Sequence, residues 1–294
     1  MLRARVKLAA AAPAGRRRTC MTLNDFAGQL HHGLGVSQRL WGFQRPVVDA
    51  LQERGWCALD GVLSREAVAR IRAECTGLYR SGRYSPSYSS VSETGEKIWR
   101  PHVHMMELDA DSWKAAPTVV IFLSEVMATL PELVNQGLDA LPGRHPAISS
   151  SIFGHKLAVS TSGGARYPRH LDNVSGGEDK RKLTAVYYFN PGWDVDAQGG
   201  AIRMFDSVAP PVYTDIAPVG EDNADRLLLF WSDLLVHEVL PMRTQHTSEV
   251  TADEHLRHTF TIWLTTENDA CLLDTLSPLY PLRLVHYPNK VEAA

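Results

Sequence analysis

The spacing of apolar positions changes character near residue 150. Before that point apolar residues recur at helical intervals. Gln44 to Arg54 predicts a helix that Gly55 ends, followed by a short apolar stretch from Trp56 to Leu59. Ser64 is a residue type whose hydroxyl satisfies a free N–H at a helix start, and Glu66 adds a favourable charge to the first turn. Beyond it, Val68, Ile71, Cys75 and Leu78 share one helical face that Gly82 closes. A further helix is predicted from Thr118 to Leu130, halting before Pro131, because proline lacks an N–H and its ring crowds the preceding turn. Between these helices, Arg83 to Glu96 is rich in Ser, Tyr and Gly, which predicts a long exposed loop of the kind that covers active sites.

From Ile152 onward the pattern becomes short runs of β-branched and aromatic residues broken by Gly, Pro, Asn and Asp: His155–Val159, Leu183–Phe189, Ala201–Phe205, Arg226–Trp231 and His258–Leu264. Short strands at this spacing predict an antiparallel sandwich or barrel. The expected fold class is α+β, mainly β: a double-stranded β-helix (jelly roll) core with supporting N-terminal helices. The expected organisation is an irregular tail or targeting segment at 1–24 and a mainly helical support region of the same domain at 25–150. The jelly-roll core follows at 151–270, with a C-terminal extension at 271–294.

Composition narrows the function classes. A chain of 294 residues with 44% hydrophobic and 21% charged residues is neither fibrous nor largely disordered. Its formal net charge of -3 offers no bulk basic field for a nucleic-acid backbone, so no nucleic-acid partner is expected. No apolar run of about 20 residues is evident, so no membrane span is expected either. Cys20, Cys57, Cys75 and Cys271 are too scattered for a zinc site or a disulfide framework and read as buried or incidental thiols of a reducing compartment. Cytoplasmic or nuclear placement is expected on these grounds. The first twenty-odd residues are basic and lack acids before Asp25, a pattern that fits a chloroplast or mitochondrial transit peptide as well as an irregular tail.

The chemistry concentrates in the segment from Tyr167 to Asn173. If that segment is extended, His170 and Asp172 project from one face, because side chains alternate along a strand. His237, after the hydrophobic run from Arg226 to Trp231, supplies a third ligand 65 residues beyond Asp172. Two imidazoles and one carboxylate on one face of an octahedron leave three positions open, the arrangement of non-haem iron(II) oxygenases. Arg257, Thr259, Thr261 and Trp263 share one face of a strand, while His258, Phe260, Ile262 and Leu264 form the more apolar other face. An arginine turned into a sheet interior needs an anion, and its planar guanidinium can grip a carboxylate through two parallel hydrogen bonds. A dicarboxylic acid anchored there could reach a metal with its other end. Arg243 is a rival for that carboxylate. His102 and His104 form a second i, i+2 pair with no matching third ligand, and His31, His32, His246, His255, His258 and His286 are read as solvated surface or loop residues.

Taken together, the segment from Lys156 to Glu267 resembles the prolyl 4-hydroxylase branch of the 2-oxoglutarate/iron(II) oxygenases, and within it the hypoxia-inducible-factor prolyl hydroxylase subgroup. The resemblance rests on Arg-His-Leu-Asp-Asn (169–173), Val-Tyr-Tyr-Phe-Asn (186–190), Gly-Gly-Ala-Ile-Arg (199–203), the run 225–233, His-Glu-Val (237–239) and Arg257 through Trp263. It implies iron binding by His170, Asp172 and His237. It further implies a salt bridge from Arg257 to the far carboxylate of 2-oxoglutarate, a hydrogen bond from Tyr188 to the same group, and a pocket lined by Thr261 and Ile202. Arg181 and Trp263 match positions that contact the peptide substrate in the family. Two departures stand out. Ser160 occupies a position where the family usually places a tyrosine beside the cosubstrate, and a polar insertion from Thr244 to His255 lengthens the interval from His237 to Arg257.

The implied reaction consumes Fe(II)-bound 2-oxoglutarate and O2, yields succinate and CO2, and hydroxylates a prolyl residue in a protein or peptide partner. Ascorbate is the implied reductant that maintains ferrous iron. Two other readings stay open at this point: the same chemistry on a free amino acid or small metabolite, and a catalytically silent oxygenase fold that acts as a binding module.

Overall fold

The structure is a computed structural model that describes residues 33–90, 97–138, 145–161, 163–243, 253 and 255–287. Two short helices, α1 (Val36–Gly42) and α2 (Gln44–Glu53), lead into strand β1 (Trp56–Asp60). Helix α3 (Arg65–Arg80) starts as its sequence predicts: the Ser64 hydroxyl accepts from Ala67 N at 3.3 Å, and Gly82 follows the end at φ 74. After β2 (Ser85–Ser90), β3 (Lys97–Met106) and the single turn α4 (Ala110–Trp113) comes the long helix α5 (Pro117–Gly137). The remaining strands are β4 (Ile148–Ser160), β5 (Tyr167–His170), β6 (Arg181–Tyr188), β7 (Ile202–Met204), β8 (Thr214–Ile216), β9 (Arg226–Trp231), β10 (His237–Val239) and β11 (Arg257–Thr266). The turn α6 (Val195–Gln198) precedes β7, and α7 (Tyr280–His286) ends the described chain.

The strands form two antiparallel sheets. The major sheet has seven strands in the order β1-β9-β6-β11-β4-β3-β2, and the minor sheet has four in the order β5-β10-β7-β8. One face of the major sheet is covered by α5. Phe122 of that helix packs on Tyr187 with ring centroids 4.3 Å apart and on Phe260 at 6.2 Å. Thus the apolar parity of β11 packs on helix, and the parity of Arg257, Thr259, Thr261 and Trp263 faces the other way, into the space bounded by the minor sheet. Helix α5 has no cap of its own. The carboxylate of Glu74 in α3 accepts from Thr118 N (3.0 Å), Thr118 Oγ1 (2.6 Å) and Val119 N (3.1 Å), so one helix satisfies the orphan donors of the next.

Several expectations are corrected. The mainly helical region before residue 150 also contributes strands, since β1, β2 and β3 all join the major sheet. The predicted exposed loop from Arg83 to Glu96 contains a strand: residues 85–90 pair with β3, and Ser87 is fully buried beneath a hairpin. Residues 91–96 lie outside the described residues. The Ser-rich composition leaves few apolar residues to mark that strand. Helix α5 does not stop at Leu130. It passes through Pro131 to Gly137 because Leu133 and Val134 are completely buried, and tertiary packing outweighs the one hydrogen bond that proline cannot make. At that length α5 is apolar enough to cross a membrane, contrary to the expectation of no such run, but 67% of its most apolar stretch is buried by protein, as in a core helix. Within the C-terminal extension, α7 is docked on the core: Arg283 donates to Asp233 O at 2.7 Å and to Val174 O at 2.5 Å.

His258 and His286 are not surface residues. The His286 Nε2 lies 2.8 Å from Ser207 O. His258 is fully buried, with Nε2 3.2 Å from the Thr76 hydroxyl and its ring stacked on Phe189. His258 shares the parity of Phe260, Ile262 and Leu264, so its burial agrees with the apolar face of that strand rather than with the surface reading, and His286 packs on Phe205. Cys57, Cys75 and Cys271 are buried free thiols, as expected, whereas Cys20 lies outside the described residues.

Two measurements test this framework. Burial pushes His258 down to about 3, with the nearby Arg72 charge acting in the same direction. An unfolded histidine titrates near 6.5, so falling pH progressively favours the unfolded state from about 6.5 down to about 3. Urea unfolding of His258→Phe should therefore lose less stability than the parent between neutral and acidic pH; parallel pH profiles would contradict the burial. Separately, Lys182 Nζ lies 3.0 Å from both carboxylate oxygens of the buried Asp233 and 2.8 Å from Cys271 O. Lys182→Ala strands that carboxylate, and a loss of roughly 3–5 kcal/mol in urea unfolding is expected.

Candidate active site

The two sheets bring three ligands to one point. Strand β10 pairs with β5 so that His237 and His170 are direct partners, with ring centroids 4.3 Å apart. Strand β5 ends at His170, so Asp172 is not a continuation of the same extended strand as expected from alternation. It lies just past the strand end and is positioned by side-chain bonds instead. Its Oδ2 accepts from Thr184 Oγ1 at 2.7 Å and from Trp263 Nε1 at 3.1 Å. Its Oδ1 faces His170 Nε2 at 3.6 Å and His237 Nε2 at 3.9 Å. Each imidazole is fixed from behind as well: His170 Nδ1 lies 2.7 Å from Pro168 O, and His237 Nδ1 lies 3.1 Å from Leu235 O. A proton on Nδ1 leaves Nε2 with its lone pair free, so both imidazoles and Oδ1 present acceptor atoms to the same space. Among the described residues, this is the group whose ligand atoms lie within 4.8 Å of one another.

Electrostatics suits a cation. Burial raises the Asp172 carboxyl, but in acid, where the imidazoles are protonated, the hydrogen bond from His170 and the charges of His237 and His170 outweigh it, so Asp172 is held well below the usual carboxylate range. Burial pushes His237 down to about 4, helped by His170. Near neutral pH the site therefore holds one carboxylate with His237 as a neutral imidazole, a donor set that fits a divalent first-row metal with open positions.

A cavity runs from these ligands to Arg257. It is lined by His170, Asp172, His237, Ile202, Tyr188, Thr261, Trp263 and Arg257, together with Lys156, Tyr167, Val186, Phe230, Val239 and Thr259. Arg257 is 2% exposed, yet its Nε and Nη2 atoms meet no acceptor. Tyr188 lies beside it, the guanidinium carbon 5.2 Å from the ring centroid; burial raises its hydroxyl and the Arg257 charge opposes that. Gly200 explains part of the glycine pair at 199–200. Its φ is 75, and a Cβ there would come within 2.9 Å of Arg257 Cδ, so a side chain would push the arginine out of place. An orphaned buried guanidinium at the far end of a metal-type cavity fits a carboxylate of a short diacid.

The rival Arg243 is exposed and does not line the cavity. Arg181 is also outside it, forked onto Asp179 with Nε–Oδ1 2.9 Å and stacked 5.7 Å from the Trp263 ring at the cavity mouth. Ser160 is buried opposite Arg257 in register and is not among the lining residues. Sequence reasoning missed Thr184 and Lys156. The signal for both was parity: Thr184 is the cross-strand partner of Trp263, and Lys156 of Thr261, so both share the pocket face.

Two antiparallel sheets thus present two imidazoles and a carboxylate that could hold a metal ion at one mouth. Residues 156–265 match the family model of the 2OG-Fe(II) oxygenase superfamily. Among curated proteins it is similar to a hypoxia-inducible factor prolyl hydroxylase of Caenorhabditis elegans, 28% identical over 206 residues that cover 67% of this chain and 26% of the relative. The chain thus spans about a quarter of that protein's length. Among solved structures it is similar to a Pseudomonas putida prolyl-4-hydroxylase, with 27% identity, TM-score 0.56, and coverage of 76% of this chain and 99% of the other. A prolyl hydroxylase from Trichoplax adhaerens, solved with a hypoxia inducible factor peptide fragment, shares the fold at TM-score 0.62, with 24% identity and coverage of 79% and 93%.

The bonds behind Asp172 generate a prediction. Thr184→Val keeps the shape of the side chain and removes one of the two donors to Oδ2. Manganese(II) affinity, followed by electron paramagnetic resonance, should fall by about 10–100-fold, the range for partners that orient a ligand. Unchanged affinity would show that Thr184 does not position the carboxylate.

Proposed function

We propose that this protein is an Fe(II)- and 2-oxoglutarate-dependent dioxygenase that hydroxylates a prolyl residue in a protein or peptide, with succinate and CO2 as coproducts. The observation that carries the reading is the buried guanidinium of Arg257, whose Nε and Nη2 meet no acceptor, at one end of a cavity whose other end holds His170, Asp172 and His237. The prolyl substrate is supported by the similarity to the prolyl hydroxylases named above.

When bound, ferrous iron and 2-oxoglutarate supply the oxidising power, delivering one oxygen atom of O2 to a substrate C–H bond while the diacid loses CO2. The chain holds and aims. His170, Asp172 and His237 would hold the metal through Nε2, Oδ1 and Nε2. Arg257 would pair with the distal carboxylate while Tyr188 donates its hydroxyl proton to the same group. Ile202, Val186 and Phe230 are apolar walls that exclude water from the space between the two anchors. Ascorbate, as the reductant that restores ferrous iron, belongs to the same proposal.

Anaerobic addition of 2-oxoglutarate to the ferrous protein, followed through the metal-to-ligand charge-transfer band, tests the cosubstrate. Arg257→Ala should weaken that binding by about 30-fold or more, since truncation of one partner of a buried charge pair costs at least ~2 kcal/mol. Equal binding by the variant would overturn the assignment. Prolyl oxidation is tested by incubation with proline-containing peptides and a search for the mass of one added oxygen on proline. Succinate release driven by a free amino acid, with no oxidised peptide, would move the reading to small metabolites.

A further inference from the structure

The mouth of the cavity carries an alternating row of cations and aromatic rings. The Arg100 guanidinium carbon stands 4.8 Å from the centroid of Tyr167, and Lys156 Nζ stands 5.4 Å from the same ring. Lys156 Nζ is also 5.1 Å from the Trp263 ring, whose other cation is Arg181 at 5.7 Å. The lysine ammonium is therefore caged between two rings at the edge of the pocket. Arg181 is neutralised by Asp179. No carboxylate of the described residues pairs with Lys156 or Arg100, and the hydrogen bonds that Arg100 makes are to Ser87 Oγ and Tyr88 O. Two cations without a carboxylate partner among the described residues thus flank the opening through which a substrate reaches the metal ligands.

A ring face attracts a cation by its quadrupole but does not cancel its charge. Tyr167 and Trp263 hold the Lys156 ammonium in place, reducing the side-chain entropy that an ion pair at this position would cost. An immobilised, half-buried ammonium without a counterion is a site for a carboxylate. We infer that Lys156, with Arg100 beside it, selects a substrate peptide that carries an acidic side chain next to the oxidised residue. This rests on the proposed reaction only for the identity of the central residue. The formal charge of -3 provides no broad basic field for a phosphate backbone, whereas cations placed along one mouth suit individual carboxylates.

The test uses the full chain loaded with manganese(II) and 2-oxoglutarate, and two short fluorescein-labelled peptides with a central proline, one flanked by glutamates and its twin by glutamines. Fluorescence anisotropy should show the glutamate peptide binding about tenfold more tightly, as expected for one charge-assisted hydrogen bond, with the ratio shrinking as salt rises. Lys156→Met should bring the ratio within about twofold, and Lys156→Arg should keep most of it. Equal binding of the two peptides by the unaltered protein overturns the inference whatever the variants do. So does a Lys156→Met protein that loses 2-oxoglutarate affinity while keeping the peptide ratio, and so does tighter binding of a labelled oligothymidylate than of the glutamate peptide. Acidic preference, with neither peptide oxidised when the same chain is instead loaded with Fe(II) and 2-oxoglutarate in air, would support the inference and sink the prolyl reaction. Oxidation without preference would do the reverse.

Discussion

A buried positive charge with two of its nitrogens unanswered is the constraint around which this structure is arranged. Removing a guanidinium from water costs on the order of several kcal/mol unless an anion answers it. Arg257 is held at 2% exposure with two nitrogens unanswered. The surroundings keep it there. Its strand lies between β4 and β6 in the centre of the major sheet, Tyr188 stands against it, and Gly200 leaves the space that its Cδ occupies. The fold tolerates the cost because the rest of the sheet is anchored elsewhere, through the aromatic contacts of α5 and the bonds from Glu74 to the start of that helix.

The charge and the metal ligands belong to different sheets. His170 and His237 come from the minor sheet, while Arg257, Tyr188 and the residues that orient Asp172 come from the major one. The site exists only while the two sheets keep their spacing. Asp172 is the tie between them: its chain position follows β5, but its Oδ2 is held by Thr184 of β6 and Trp263 of β11. That explains why a carboxylate beyond the end of a strand can still meet both imidazoles.

The local rules of the sequence carried much of this. Parity along β11 separated a polar pocket face from the apolar face under α5, and the His-x-Asp spacing with a distant histidine pointed to ligands that the fold brings within reach of one another. The serine cap of α3 was legible because its determinants lie within a few residues. What was not legible depends on partners far along the chain. The strand at 85–90 has few apolar residues to mark it and is defined by its pairing with β3. The partners of His258 come from α3 and from Asn190, whose side chain bonds to His258 N and O. The passage of α5 through Pro131 depends on the packing of the turn beyond it, and local propensity carries no trace of that.

Trp263 joins the two halves of the argument. Its indole N–H holds the Asp172 oxygen that does not face the imidazoles, while its ring forms one wall of the cage around Lys156. A group that approaches Lys156 therefore touches the residue that fixes the metal-facing carboxylate. Movement of that ring would loosen one of the two donors on Oδ2 and leave Thr184 to hold it. Placing the two donors on different strands makes the ligand geometry tolerant of disturbance at the mouth, because Thr184 is fully buried and bonded in turn to Ser232 at 2.8 Å. The arrangement separates what must stay rigid, the carboxylate, from what meets the variable partner, the face of the indole.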